Sequence, residues 1–304
     1  MLLLPLAMAA PVRMPAQKPT AVVWAPGQAD DVVYVKLEEG ALGSPRLEGT
    51  RVRPLFPGHE EEPLSGWYRV DTEPWMAPEV AELFNEQDWV EVAYLPSGPV
   101  PPPVDLAPTT PDFSGEQLWL DDAPDGINSD EASWWPGADG SRVAVADLEY
   151  SWDRDHEDLD HTAEIRTAGY DSHDYPFHGT AVLGQLVALD NGYGVTGLVP
   201  GAEPVVVFPY VSAEEYDVAG AVLLAMELLG PGDVLLIEQQ TVANGGYAPV
   251  EAEPAVWDAI AAAVEKGIVV VEAAGNGDQD LDDPSWQGWF DRSQRDSGAI
   301  LVGG

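Results

Sequence analysis

Three polar residues in this sequence stand where chemistry is commonly found, each next to an apolar segment. Asp147 comes near the end of RVAVADL, His178 opens HGTAVLGQLV, and Asn276 follows VVVEAAG. Each residue alone is also an ordinary turn or helix-start residue. Together, an Asp that orients a His beside an amide donor makes up three-quarters of a nucleophilic acyl-transfer site. The sequence therefore predicts a catalytic group of Asp147, His178 and Asn276.

The elements around these residues alternate between strands and helices. Apolar strands are predicted at 142–148, 203–210, 233–240, 268–276 and 299–304, with helices after His178, over 212–229 and from Pro254. This alternation predicts an α/β fold with a doubly wound, mainly parallel sheet. In such a sheet the carboxyl ends of the strands share one edge. We therefore expect the three polar residues to converge there.

A smaller unit precedes this sheet. Residues 32–96 carry three short strands, at 32–37, 66–70 and 89–95, and a helix over 77–85, which predicts a small α+β domain. Residues 97–111 are rich in proline and predict a linker. The larger domain is then expected over 112–304.

The first 31 residues predict a signal-like or disordered segment. They begin with MLLLPLAMAAP, an apolar run followed by a small-x-small pattern at Ala7-Met8-Ala9, as at the end of a secretory signal. We expect a secreted protein. No later segment reaches about 18 uninterrupted apolar residues, so no membrane span is predicted.

Composition narrows the classes of function. There are 13 Lys and Arg against 53 Asp and Glu, a formal net charge of −40. Such a surface repels phosphate backbones, so we expect no nucleic acid partner. The chain has no Cys, which excludes disulfides, thiolate zinc sites and a Cys nucleophile.

The blocks AVADLEYSWDRDHEDL, HGTAVLGQLVA and VVVEAAGNG, in that order, resemble the Asp, His and Asn blocks of the subtilisin-like serine proteases. The segment GVTGLVPGAEPVVVFPY is also similar to the run that follows the His helix in that family. The resemblance implies a subtilisin-like fold over 112–304, and residues 32–96 resemble the inhibitory pro-domain that many members carry.

This resemblance implies a serine endopeptidase that forms an acyl-enzyme. His178 would be the general base, Asp147 would orient its imidazole, and the Asn276 amide would donate to the oxyanion. An extended polypeptide substrate would pair with the strand near Leu236 to Gln239.

No cofactor is required by this chemistry. A structural calcium ion is a candidate for the acidic loop 278–283, and a metal site is an equal candidate for the acidic and His-containing loop 153–161. In both loops the simpler interpretation is a set of solvated acids.

The first departure from the family pattern concerns residues around the predicted site. Leu148 and Glu149 follow Asp147 where Ser or Thr and then Gly are usual. Glu238-Gln239-Gln240 replaces a Ser-Leu-Gly type run, and a Glu at this place would favour basic side chains in substrates.

The second departure concerns the nucleophile. None of the serines after Asn276, namely Ser285, Ser293 and Ser297, opens a Gly-flanked turn into a helix, so no nucleophile is assigned. We expect this chain alone to be inactive and a complementary C-terminal fragment to be a candidate partner. The alternative function is a non-catalytic pseudo-protease, or a protease inhibitor of the pro-domain type that binds peptides.

Overall fold

The computed structural model describes residues 16–19, 21–25, 27–41, 45–47, 49–59, 63–98, 111–162 and 165–303. The N-terminal unit contains β1 (Val32–Leu37), β2 (Arg51–Pro54), β3 (Trp67–Asp71), α1 (Ala77–Asn85) and β4 (Val90–Tyr94). The larger unit contains α2 (Ser129–Ala132), β5 (Ala144–Leu148), β6 (Arg166–Ala168), α3 (Pro176–Val187), β7 (Glu203–Val207), β8 (Tyr210–Ser212), β9 (Glu215–Tyr216), α4 (Val218–Leu228), β10 (Val234–Ile237), β11 (Gln240–Ala243), β12 (Gly246–Pro249), α5 (Pro254–Glu265), β13 (Val269–Ala273) and β14 (Ile300–Val302).

The N-terminal unit is the small α+β domain that its sequence predicts. Its four strands form an antiparallel sheet in the order β2-β3-β1-β4, with the buried face of α1 packed against it. The strand β2 was not predicted, because its RVRP sequence lacks apolar alternation. Val22 and Trp24 also pack against this core, so the small unit takes in part of the segment that the sequence assigned to residues 1–31.

The larger unit is built on a parallel six-stranded sheet in the order β14-β13-β10-β5-β7-β6. The predicted α/β, doubly wound sheet is therefore confirmed. Alternate residues of β5 face opposite sides, as the pleat of a strand requires. Ala146 and Leu148 pack in the core formed with α4 and α5, and Val145 packs in the core formed with α3. Asp147 has the parity of Val145 and so lies on the α3 side.

The helix predicted over 212–229 begins later than expected, at Val218. Asp217 caps it by accepting a hydrogen bond from the Gly220 N–H at 2.9 Å. Residues 210–216 form the short antiparallel pair β8 and β9 instead. The helix therefore starts where a side-chain acceptor satisfies its first free N–H groups.

The two units meet where the small sheet contacts α5. The Trp67 indole N–H donates to Asp258 Oδ2 at 2.7 Å, and Lys36 Nζ lies 3.8 Å from the same oxygen. All three side chains are buried. These buried polar contacts therefore join the small unit to α5.

Two predicted segments lie outside the described residues. These are the signal-like start, residues 1–15, and most of the proline-rich linker, residues 99–110. In the part of the chain that the structure does describe, no helix is both long and apolar enough to cross a membrane.

Candidate active site

His178 lies in the first turn of α3. Tyr175, in a left-handed conformation, precedes the helix, and Pro176 occupies its first turn, where a missing N–H costs no hydrogen bond. The His178 side chain is largely buried against the sheet. The imidazole is therefore held at the sheet edge and not among the residues exposed along the helix.

The imidazole partner is Glu149, the residue that follows β5 by one position. His178 Nδ1 forms a hydrogen bond with Glu149 Oε2, and Glu149 Oε1 accepts the backbone N–H of Tyr150 at 2.7 Å. Both oxygens of the carboxylate are thus engaged, and the group is buried. A carboxylate fixed in this way holds the proton on Nδ1, which leaves Nε2 to exchange protons with a reacting group.

Gly179 allows α3 to come this close. A Cβ at this position would lie 2.5 Å from Glu149 Cγ and closer still to the Ser151 carbonyl oxygen. Only glycine fits such an approach of backbone to backbone. The His-Gly pair of the sequence is therefore explained by packing as well as by chemistry.

The predicted pairing of Asp147 with His178 is not what the structure shows. Asp147 is fully buried, and neither of its carboxylate oxygens has a hydrogen-bond partner among the described residues. Burial raises the pKa of Asp147 well above its usual value, and the neighbouring Glu149 and Glu238 raise it further. The physical reason is strand geometry: Asp147 and Glu149 share a face, but two residues of strand separate them by about 7 Å. The imidazole lies at the level of Glu149.

Asn276 lies beyond the carboxyl end of β13. Its backbone N–H donates to Gln240 Oε1 at 2.8 Å, and its side chain is exposed. Gly275 has a φ of +87°, and a Cβ there would lie 2.9 Å from the Ala248 carbonyl carbon. The turn that projects Asn276 past the strand end therefore needs glycine. The predicted location at the carboxyl-end edge is what the structure has, with the side chain presented to solvent.

A further carboxyl group borders the site. Glu238 directly follows β10 and is half-buried. Burial raises the pKa of Glu238, nearby His178 lowers it, and Glu149 raises it. In the sequence, Glu238 is a departure from the family pattern, and a Glu there predicts a preference for basic side chains in substrates. The sequence did not indicate Glu149 as the His partner, although a second acid two residues after Asp147 on the same strand face was the available signal.

The three serines after Asn276 contact other residues. The Ser285 hydroxyl accepts from Asn244 at 2.7 Å, Ser293 donates to Asp291 at 2.7 Å, and Ser297 donates to Glu251 at 2.5 Å. Each of the three hydroxyl groups is thus hydrogen-bonded to a loop residue or to the buried acid Glu251.

Acids of both loops considered for metals already accept hydrogen bonds from the protein. Asp158 accepts from Asn191 and from the Val195 N–H, both at 3.1 Å. Asp283 accepts from the Ser285 N–H at 2.8 Å. Among the residues that the structure describes, no group of three or more His, Asp or Glu is arranged to hold a metal ion. The structural calcium ion remains a prediction.

Comparison with known proteins relates this arrangement to one family. No family model matches the chain. It is 28% identical over 195 residues to the major intracellular serine protease of Bacillus subtilis (strain 168), covering 56% of this chain and 55% of that protein. It is 27% identical over 146 residues to the minor extracellular protease Epr of the same organism, covering 47% of this chain and 21% of that protein.

A solved structure supports the fold. The epidermin leader peptide processing serine protease of Staphylococcus aureus, as an S393A mutant, superposes with a TM-score of 0.52 at 14% identity. The alignment covers 90% of this chain and 69% of that one. The chain thus spans about half, or less, of the length of the two curated relatives described above. Its fold is that of the subtilisin-like serine proteases, and its sequence is related to theirs.

Proposed function

We propose that this chain, a subtilisin-like protein in sequence and fold, is part of a serine endopeptidase that hydrolyses peptide bonds through an acyl-enzyme. The single observation that carries the proposal is the hydrogen bond between His178 Nδ1 and the Glu149 carboxylate at the carboxyl edge of a parallel sheet. That pair is the base and its orienting acid, which an acyl-transfer site needs.

Each residue has one role in the proposed reaction. His178 Nε2 takes the proton of a serine hydroxyl as that oxygen attacks the peptide carbonyl, and later gives the proton to the leaving amine. Glu149 keeps the imidazole in the required tautomer and stabilises its cationic form. The Asn276 amide donates to the oxyanion that develops on the carbonyl oxygen. In this proposal Glu149 takes the role that the sequence assigned to Asp147.

The serine itself is proposed to come from outside these 304 residues. The support is the set of partners that already engage Ser285, Ser293 and Ser297. The complementary C-terminal fragment predicted from the sequence is one source of that hydroxyl, and a downstream part of the same protein is the other. In both cases the chain as given would lack hydrolytic activity.

The substrate is proposed to be an extended polypeptide lying across the carboxyl ends of β10 and β13. Main-chain hydrogen bonds suit such a substrate, because they bind many sequences. The N-terminal unit is proposed to act as a pro-domain, since its sheet covers α5 through the Trp67–Asp258 contact. The signal-like start of the sequence supports an extracellular location.

The test is peptide hydrolysis by the full-length protein. His178→Ala should lower kcat by about 10⁴–10⁶-fold, and Asn276→Ala by about 10²–10³-fold. His173→Ala is the matched control, because the His173 side chain is 77% exposed, and it should leave kcat unchanged. A fluorophosphonate probe should label a serine in the full-length protein and none in the 304-residue chain. Unchanged hydrolysis in His178→Ala would refute the proposal.

The alternative is the non-catalytic peptide-binding protein or inhibitor. The engagement of the three serines favours it as much as it favours an external nucleophile. It predicts saturable peptide binding by the full-length protein, no hydrolysis and no fluorophosphonate labelling.

A further inference from the structure

Glu238 is a carboxyl group without an assigned task. It stands one residue beyond β10, half-buried, and among the described residues it has no hydrogen bond or ion pair. A carboxylate that has lost part of its hydration without gaining a donor is costly to keep. A half-buried acid beside a candidate catalytic pair is therefore a candidate for contact with a ligand.

The strand register places Glu238 beside the candidate catalytic pair. Leu236 of β10 is in register with Asp147 of β5, and Ile237 is in register with Leu148. Extending this register by one residue places Glu238 next to Glu149, on the sheet face that carries α3. Both Glu149 and His178 act electrostatically on Glu238.

A second observation concerns the acids beside Glu238. Asp147, on the same face and one step deeper, is completely buried with both oxygens unpartnered among the described residues. Glu149 and Glu238 act electrostatically on Asp147, and Glu149 and His178 act on Glu238, so these groups are close neighbours. His178 Nδ1 is already hydrogen-bonded to Glu149, which leaves Glu238 beside an acid and without a hydrogen-bond donor among the described residues.

We propose that Glu238 is a specificity-determining residue, and that it selects polypeptides with a Lys or Arg side chain at the position that docks against the carboxyl end of β10. This inference rests on the proposed function, because it assumes that a peptide binds at this edge. A Lys or Arg head group supplies the hydrogen-bond donors that Glu238 lacks, and its positive charge favours the ionised form of the Glu238 carboxyl group. A neutral, apolar side chain of similar length leaves the Glu238 carboxyl group without a hydrogen-bond donor.

The test measures peptide binding, so that it does not depend on turnover. Labelled peptides of one sequence, carrying Lys, Arg or norleucine at each position in turn, are titrated against the full-length protein by fluorescence anisotropy. The measurement is made at about 0.15 M salt, where remote surface charges are screened. The variants are Glu238→Gln, which keeps the shape of the side chain, and Glu227→Gln, which removes the same charge from the exposed side of α4.

We expect the Lys and Arg peptides to bind about tenfold more tightly than the norleucine peptide when the cation is at one particular position. Glu238→Gln should abolish this difference, and Glu227→Gln should preserve it. Equal binding of cationic and norleucine peptides, survival of the preference in Glu238→Gln, or its loss in Glu227→Gln would overturn the proposal.

The outcome is separable from that of the proposed function. A preference that depends on Glu238 in a protein that hydrolyses nothing supports the inference and refutes the protease. Hydrolysis that depends on His178, with no preference for cations, does the opposite.

Discussion

At the scale of single residues, the site is decided by which acid reaches the imidazole. Two carboxyl groups stand on one face of the strand that ends at Leu148, and they have opposite environments. Glu149 has the Tyr150 N–H and His178 as partners, whereas Asp147 has none among the described residues. An ionised carboxylate is stable in a buried site only when donors surround it. Glu149 is therefore the acid with the partners that such a buried site requires.

The isolation of Asp147 predicts a pH-dependent cost. Because burial raises the pKa of Asp147 in the folded state, the stability present at low pH is lost as the pH rises through that pKa. We expect the unfolding free energy of Asp147→Asn, relative to that of the wild type, to increase by about 1–3 kcal/mol as the pH rises from 4 to 8. Urea unfolding across this range measures the difference.

The control for this prediction is Asp190→Asn, which changes an exposed acid. It should differ from the wild type by the same amount at every pH. A difference between Asp147→Asn and the wild type that is equally flat would contradict the assignment of Asp147 as an unsatisfied buried acid.

The sequence predicted His178 and Asn276 at the shared edge, because each follows or opens an apolar element. It did not distinguish Asp147 from Glu149. Both residues point to the same side of the sheet, and the choice between them depends on the height at which α3 crosses the strand. That height is set by tertiary packing at Gly179, which no local pattern encodes.

At the scale of elements, the position of α3 against the end of β5 controls the site. The first turn of the helix lies against residues 149–151, with no room for a side chain at Gly179. The helix axis is fixed further along by Leu183 and Val187, which pack in the core beneath the sheet. The imidazole is thus placed by one close backbone contact and by one apolar stripe.

Gly179→Ala should separate α3 from the strand end. The added Cβ would overlap Ser151 and Glu149, so we expect a loss of about 1–3 kcal/mol in unfolding free energy and loss of the His178–Glu149 hydrogen bond. Gly184→Ala is the matched control on the same helix, because its Cβ would meet nothing closer than Val195 Cγ2 at 3.6 Å. It should be neutral or stabilising by up to about 1 kcal/mol. Equal effects of the two variants would show that close approach is not the cause.

The strands and helices of the larger unit were predictable because they are apolar and bounded by turn residues. The pairs β8–β9 and β11–β12 were not predicted. Both are short, and both are formed by contacts across a turn and not by periodic burial. The start of α4 was not predictable either, because several polar residues before it could have capped the helix. In the structure Asp217 is the cap.

At the scale of the whole molecule, acids are concentrated where the two units meet. Glu253 Oε1 accepts from the Thr241 hydroxyl at 2.5 Å and from the Ser97 N–H at 3.2 Å. Burial raises the pKa of Glu253 to about 7, although these hydrogen bonds lower it. In the same region burial raises the pKa of Asp217 to about 6. The contact between the units therefore holds carboxyl groups that ionise near neutral pH.

Glu253→Gln should make this contact less sensitive to pH. The folded pKa of Glu253 is raised, so its contribution to stability is complete below about pH 4.5 and is lost as the pH rises through about 7. Between pH 5 and pH 8 we expect the wild type to lose up to about 3 kcal/mol more unfolding free energy than Glu253→Gln. Glu265→Gln, on the exposed side of α5, is the control and should follow the wild type. A wild type and Glu253→Gln variant with parallel pH profiles would contradict this account.

The most direct test of the central claim is the NMR resonance of the His178 Nδ1 proton in the ¹⁵N-histidine-labelled full chain, assigned with His178→Ala. If Glu149 holds the imidazole, a downfield Nδ1–H signal is present in the wild type and in Asp147→Asn, and it disappears in Glu149→Gln. Disappearance in Asp147→Asn with retention in Glu149→Gln would mean that the acid first expected from the sequence is the true partner, and the account given for this site would be wrong.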